Sequence, residues 1–208
     1  MLINVIFADK HAIFRQGLAA LLNTVEGITF LAQATNGREA WELIEKLQPN
    51  VAILDINMSE MTGMEIARKA GWSGFATQII LLTAHEDPVV VIEAQEAGAA
   101  GYVLKNSSFD ELLTAIRTVA AGGTFLSSDI RAKLRERRRQ GKTVTAISPR
   151  EREVIRLIAQ EKSGKEIARI MDISPHTVGT YRDRLMDKLQ LHTVAGIVRY
   201  AVRAGIVE

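Results

Sequence analysis

Asn50–Asn57, NVAILDIN, decides the fold of the first half of this 208-residue chain. Four apolar residues, Val51–Leu54, run directly into an acid, Asp55. A short apolar run without alternation reads as a strand buried on both faces, as in a parallel sheet. In open α/β sheets, ligands bind beyond the carboxyl ends of the strands. Asp55 therefore stands where a site belongs, although a strand-end acid capping the next loop would read the same.

The pattern extends in both directions. Asn4–Ala8 reads as a strand ending at Asp9, followed by helical spacing from Ala12 to Leu22. Ile28–Ala34 reads as a strand. Asn36 and Glu39 make a capping-box-like start for a helix through Leu47. Gly63–Ala70 reads as a helix, Gln78–Thr83 as a strand, and Pro88–Ala97 as a helix stopped at Gly98. Gly101–Leu104 is a short strand ending at Lys105, and Ser108 with Glu111 opens a helix stopped by Gly122–Gly123. Five strands alternating with five helices predict a doubly wound, five-stranded parallel α/β domain. Asp9, Asp55, Thr83 and Lys105 all fall at or next to strand ends. Together they offer carboxylates for a hard cation, a hydroxyl and an ammonium.

Charge is distributed unevenly. Residues 1–123 hold 8 basic and 14 acidic side chains, 124–141 hold 6 and 2, and 142–208 hold 12 and 8. An acidic first half and a basic remainder predict two domains, the second meeting a polyanion, although a solvated basic surface fits the same counts. There are no cysteines, which excludes disulfides and thiolate metal sites and fits a cytoplasmic protein. No apolar run approaches a membrane span, and no signal peptide is read.

In the second half, Ser148-Pro149-Arg150-Glu151 is a capping box with proline at the first helical position. Ser163–Glu166 is another, and Ser174-Pro175 opens a helix through Leu189. A last helix spans Thr193–Arg203. Four short helices, two joined by the tight turn Asp172–Ser174, predict a small all-α helix-turn-helix domain. Val178, Leu185 and Leu189 share one face of the third helix; Thr177, Thr180, Arg184 and Lys188 fall on another. Such a helix suits a DNA major groove, and an ordinary surface helix has the same pattern. Between the halves, Thr124–Ala146 reads as a solvated linker in which Ile130 and Leu134 could support a short helix ended by Gly141. Its arginines, Arg135, Arg137, Arg138 and Arg139, are a second possible contact for phosphates.

The motifs themselves carry a resemblance. ILDINM with Asp55, LLTAHED with Thr83, and GYVLKNSS with Tyr102 and Lys105 resemble the receiver domain of bacterial two-component response regulators. SPREREVIRLIAQEKSGKEIARIMDISPHTVGTYRDRLMDKLQL resembles the LuxR-type DNA-binding domain, so the chain resembles a NarL/FixJ-type transcriptional response regulator from end to end. The resemblance implies a flavodoxin-like receiver at 1–123, a linker at 124–146 and a LuxR-type domain at 147–208. It implies a DNA-binding regulator rather than an enzyme, phosphorylated on Asp55 by a sensor histidine kinase or other phosphodonor. Lys105 and Thr83 would engage the phosphoryl group, and Tyr102 would follow as a switch.

Mg2+ would be held by Asp9, Asp55 and the Asn57 carbonyl. On DNA, the resemblance implies a homodimer whose double-stranded contacts come from Lys165, Thr177, Gly179, Thr180, Arg182, Asp183, Arg184 and Lys188. Base readout falls to Thr180 and Asp183.

The chain departs from the family at Lys10, where a second acid is usual, at Ser59, usually proline, and at Gly179, often lysine. Two readings of Lys10 compete. It points outward and leaves a weakened Mg2+ site, or it enters the acidic pocket and makes an atypical, phosphorylation-independent regulator. An aspartyl-nucleophile phosphatase is a further alternative. It is disfavoured because Asn57 stands where such enzymes place a general acid.

Overall fold

The computed structural model describes residues 2–84, 86–139 and 146–207. They form two compact units, 1–142 and 143–208.

The first unit is built on six strands: β1 Ile3–Ala8, β2 Ile28–Ala34, β3 Val51–Asp55, β4 Gln78–Thr83, β5 Gly101–Leu104 and β6 Phe125–Leu126. All pairings are parallel, in the order β2-β1-β3-β4-β5-β6. Every residue of β3 is buried, as the unbroken apolar run required. Register places Phe7 beside Ile53 and Ile53 beside Ile80. Their side chains join Leu18 and Leu22 of α1 (Ala12–Leu22) and Leu112, Ile116 and Val119 of α5 (Phe109–Ala120) in one core. Each large aliphatic side chain so buried contributes about 1.5–3 kcal/mol. The intervening helices are α2 Gly37–Leu47, α3 Gly63–Ser73 and α4 Pro88–Glu96.

The sheet has one strand more than expected, and the segment read as linker from Thr124 supplies it. Phe125 and Leu126 pair with Gly101 and Tyr102. Ser127, fully buried, then accepts the Leu104 amide at 2.9 Å and closes the sheet edge. α6, Ser128–Arg139, follows as a regular helix packed on α4. Ile130 is its buried anchor. Gly141, expected to end this helix, lies outside the described residues.

The second unit consists of α7 Pro149–Ala159, α8 Gly164–Met171, α9 Pro175–Leu189 and α10 Val194–Arg203. Both expected capping boxes form: Ser148 with Glu151 and Ser163 with Glu166. α8 ends at Asp172 in the left-handed conformation, and Ser174 caps α9 by accepting the Thr177 amide at 3.0 Å. Three residues, 172–174, separate the two helices, which is helix-turn-helix geometry. Val154, Ile155, Ile167, Val178, Leu185 and Ile197 are buried within this unit.

Candidate functional site

Strand order reverses about β1 and β3, because β2 lies outside β1 while β4 lies outside β3. Crevices in doubly wound sheets open at such a switch point. Asp9 follows β1 and Asp55 ends β3, so both acids stand at the crevice; their exposures are 0% and 4%. Gly63 opens α3 directly behind them, where an added Cβ would lie 2.5 Å from the Asp55 carbonyl oxygen.

Lys105 reaches in from the end of β5. Its Nζ lies 2.6 Å from Asp9 Oδ2 and 2.9 Å from Asp55 Oδ2. One ammonium thus bridges two buried carboxylates, with the Phe14 ring 5.4 Å away. Burial pushes the Asp55 carboxyl above the usual carboxylate range, and Lys105 partly opposes this. The Asn57 amide donates to Asp55 Oδ1 at 3.3 Å.

Lys10, by contrast, is exposed. The reading in which it occupies the acidic pocket is therefore corrected: the pocket's ammonium belongs to Lys105. Residue 10 follows the strand end, and its side chain turns to solvent while Asp9 turns inward.

Thr83 and Tyr102 sit deeper, 1% exposed each. They are hydrogen-bonded to one another, and burial raises the Tyr102 hydroxyl well above its ordinary value. Tyr102 thus points inward in this structure. His11 is the residue that the sequence reading passed over. Its Nδ1 lies 2.7 Å from Asp9 Oδ1, and its amide donates to the same oxygen at 2.8 Å. An acid followed two positions later by histidine just past a strand was the available signal.

The pocket's donors fit a divalent cation. Ligand atoms of Asp9, His11 and Asp55 lie within 4.8 Å of one another. The Asn57 Oδ1 atom is buried without a hydrogen-bond partner. Two carboxylates suit a hard cation, and the imidazole makes the set softer than one built only of oxygens.

In the second unit, α9 presents its buried row (Val178, Leu185, Leu189) to the core. Asp183 and Arg184 are exposed on the far side, with Lys165 exposed on α8; Thr177, Gly179 and Thr180 are half-buried. The Thr180 hydroxyl donates to the His176 carbonyl at 3.2 Å, and Thr177 Oγ1 pairs with the Ser174 hydroxyl at 2.8 Å. Two residues expected among the DNA contacts also make contacts within the unit. Arg182 lies one turn after Val178 and lines a cavity of about 410 Å³ with Ser163, Ile167, Val194 and Val198. Its Nε is buried without a partner. Lys188 donates to Glu151 Oε2 at 2.9 Å, joining α9 to the start of α7. Burial pulls the Glu151 carboxyl up, and Lys188 with the Ser148 amide more than reverses this, leaving it below its ordinary value.

Among the described residues, no helix is long and apolar enough to cross a membrane. Residues 5–117 match the Response regulator receiver domain, and residues 145–201 match Bacterial regulatory proteins, luxR family. The chain is 35% identical over 207 residues to the transcriptional regulatory protein MctR of Rhizobium johnstonii, across 99% of this chain and 96% of that one. It is 38% identical over 188 residues to the transcriptional regulatory protein UhpA of Escherichia coli K12, across 90% and 92%. A crystal structure of a LuxR-family two-component response regulator from Aurantimonas sp. SI85-9A1 matches 66% of this chain and 99% of its own. That match has 32% identity and a TM-score of 0.63. With both domains matched in order and relatives aligned over nearly the full length, the chain belongs to the NarL/FixJ-type response regulators, a receiver domain followed by a LuxR-type helix-turn-helix domain.

Proposed function

We propose that a phosphoryl group on Asp55 controls when α9 engages a DNA major groove, and that the chain acts by binding rather than by turnover. The observation carrying this reading is the Asp9–Lys105–Asp55 cluster at the sheet's switch point, with Thr83 and Tyr102 buried behind it. In the transfer step an Asp55 carboxylate oxygen attacks the donor's phosphorus. An O–P bond forms as the bond from phosphorus to the donor's leaving group breaks, giving an acyl phosphate. Lys105 exchanges the Asp55 oxygen for a phosphoryl oxygen, keeping its own charge satisfied by Asp9. Thr83 offers its hydroxyl to the same group, and the Tyr102 hydroxyl, bonded to Thr83, registers that change.

Asp9, Asp55 and the Asn57 carbonyl would hold Mg2+, which when bound neutralises phosphoryl charge. Lys10 leaves this set one acid short of the family's usual pair. The donor would be a sensor histidine kinase or a small phosphodonor, in the cytoplasm.

In the second unit, Thr180 and Asp183 would meet base edges and Arg184 and Lys165 the phosphates. A homodimer would place two copies of α9 about one helical turn apart. Incubation with acetyl phosphate and Mg2+, followed by intact-mass measurement, tests the first step. One added phosphoryl group on the wild type and none on Asp55→Asn is the expected result. No addition to either would overturn it.

A further inference from the structure

α6 concentrates charge in a way the receiver does not need for folding. Its twelve residues, Ser128–Arg139, contain six cations and two acids. They sit on a unit whose first 123 residues hold 8 basic and 14 acidic side chains. Two cations near a helix C-terminus would satisfy its dipole, which is worth about 0.3–1 kcal/mol each. Six exceed that requirement.

Some of the six are used internally. Arg131 donates to the Leu126 carbonyl at 2.8 Å and lies over the Phe125 ring. Lys133 pairs with Glu86. These contacts, with buried Ile130, pin the helix to the receiver. Of the other four, Arg135 and Arg139 are exposed, one turn apart, on one side of a helix that is held in place. A pinned pair of guanidiniums is a fixed patch rather than a mobile tail. It loses less entropy on meeting a row of anions.

The chain itself limits where that patch can go. Nine residue steps separate Arg139 from Ser148, the cap of α7. A chain of that length spans at most about 32 Å when fully extended. That is close to one helical turn of duplex, about 34 Å, along which phosphates recur every ~1.7 Å of axis. When the second unit sits on DNA, the patch is held at high effective concentration near the flanking backbone.

We propose that α6 is a second DNA contact, a sequence-blind clamp in which Arg135 and Arg139 neutralise backbone phosphates outside the half-site read by α9. The inference rests on the DNA-binding reading above and adds a contact made by the receiver unit. Such a contact shows in the salt dependence of binding, where each neutralised phosphate adds about 0.9 to the slope of log affinity against log salt.

The experiment uses the full chain and a duplex obtained by selection with the wild type. Binding is titrated from about 50 to 200 mM salt. For Arg135→Gln/Arg139→Gln the slope falls in magnitude by up to about 2, affinity weakens at every salt concentration, and the preferred sequence stays the same. Arg135→Lys/Arg139→Lys keeps the slope, and circular dichroism shows that both variants are folded. Selective binding with the wild-type slope in the glutamine variant overturns the clamp while leaving the DNA-binding reading intact. An unchanged slope together with lost sedimentation on phosphatidylglycerol vesicles also overturns it, assigning the patch to a membrane surface. A wild-type chain that selects no duplex overturns both readings.

Discussion

Lys105 Nζ stands 2.9 Å from Asp55 Oδ2 while remaining 2.6 Å from Asp9 Oδ2. One cation therefore holds two buried carboxylates together. Removing it leaves two like charges in a site with almost no access to solvent, which typically costs 3–5 kcal/mol. Lys105→Met is expected to lose about 3 kcal/mol of stability without added divalent metal. Adding Asp55→Asn to that variant should recover a large part of the loss, because one of the uncompensated charges goes with it. Urea unfolding of the single and double variants checks this. Equal stabilities would refute the bridging role.

Lys10 is exposed beside a pocket whose acids already share an ammonium. Replacing a cation with a third carboxylate increases the oxygen ligand count and the negative charge. Both strengthen hard-cation binding. Lys10→Asp should bind Mg2+ about tenfold more tightly, read by calorimetric titration. The same substitution should accelerate phosphorylation of Asp55 by acetyl phosphate.

Glu151 and Lys188 join α7 to α9 with side-chain exposures of 13% and 20%. This pair should show a coupling energy of about 1 kcal/mol in a cycle of Glu151→Gln and Lys188→Met. The Glu151 carboxyl lies below its ordinary value. Its contribution is therefore present above the unfolded value, near 4.5, and is lost as pH falls through the lower folded one. The stability gap between wild type and Glu151→Gln should close in acid and remain open at neutral pH.

Gly179 lies within α9, and nothing stands within 4 Å of the place its Cβ would occupy. Glycine in a helix interior costs about 0.5–1 kcal/mol relative to alanine. Gly179→Ala should raise the stability of the second unit by about that amount. Gly179→Lys should also strengthen DNA binding and steepen its salt dependence by about 0.9. Thermal unfolding and salt titrations measure the two effects separately.

Much of this architecture is legible in the sequence because its signals are local and strong. Val51–Asp55 is apolar without interruption, and a strand covered on both faces is the arrangement that needs it. Ser148-Pro149-Arg150-Glu151 and Ser163–Glu166 name their own helix starts. β6 escaped because two residues hold no periodicity, and its stability comes from Ser127 and from pairing with β5. The internal contacts of Arg182 and Lys188 escaped for a different reason. Residue type does not announce the contacts they make within the unit, which come from tertiary position: Arg182 lines a cavity with Ile167 and Val194, and Lys188 pairs with Glu151. The partner of Asp55 was also a matter of tertiary geometry, since Lys105 is fifty positions away while Lys10 adjoins Asp9.

Charge placed on Asp55 is expected to change how the second unit binds DNA. The most direct test is the affinity of the full chain for a selected duplex, measured with and without acetyl phosphate and Mg2+, on wild type and Asp55→Asn. Affinity of the wild type should rise on phosphorylation by roughly tenfold, a coupling of about 1.4 kcal/mol, while the variant stays unchanged. Equal affinity in all four conditions, with the phosphoryl group verified on the wild type by mass, would contradict the account.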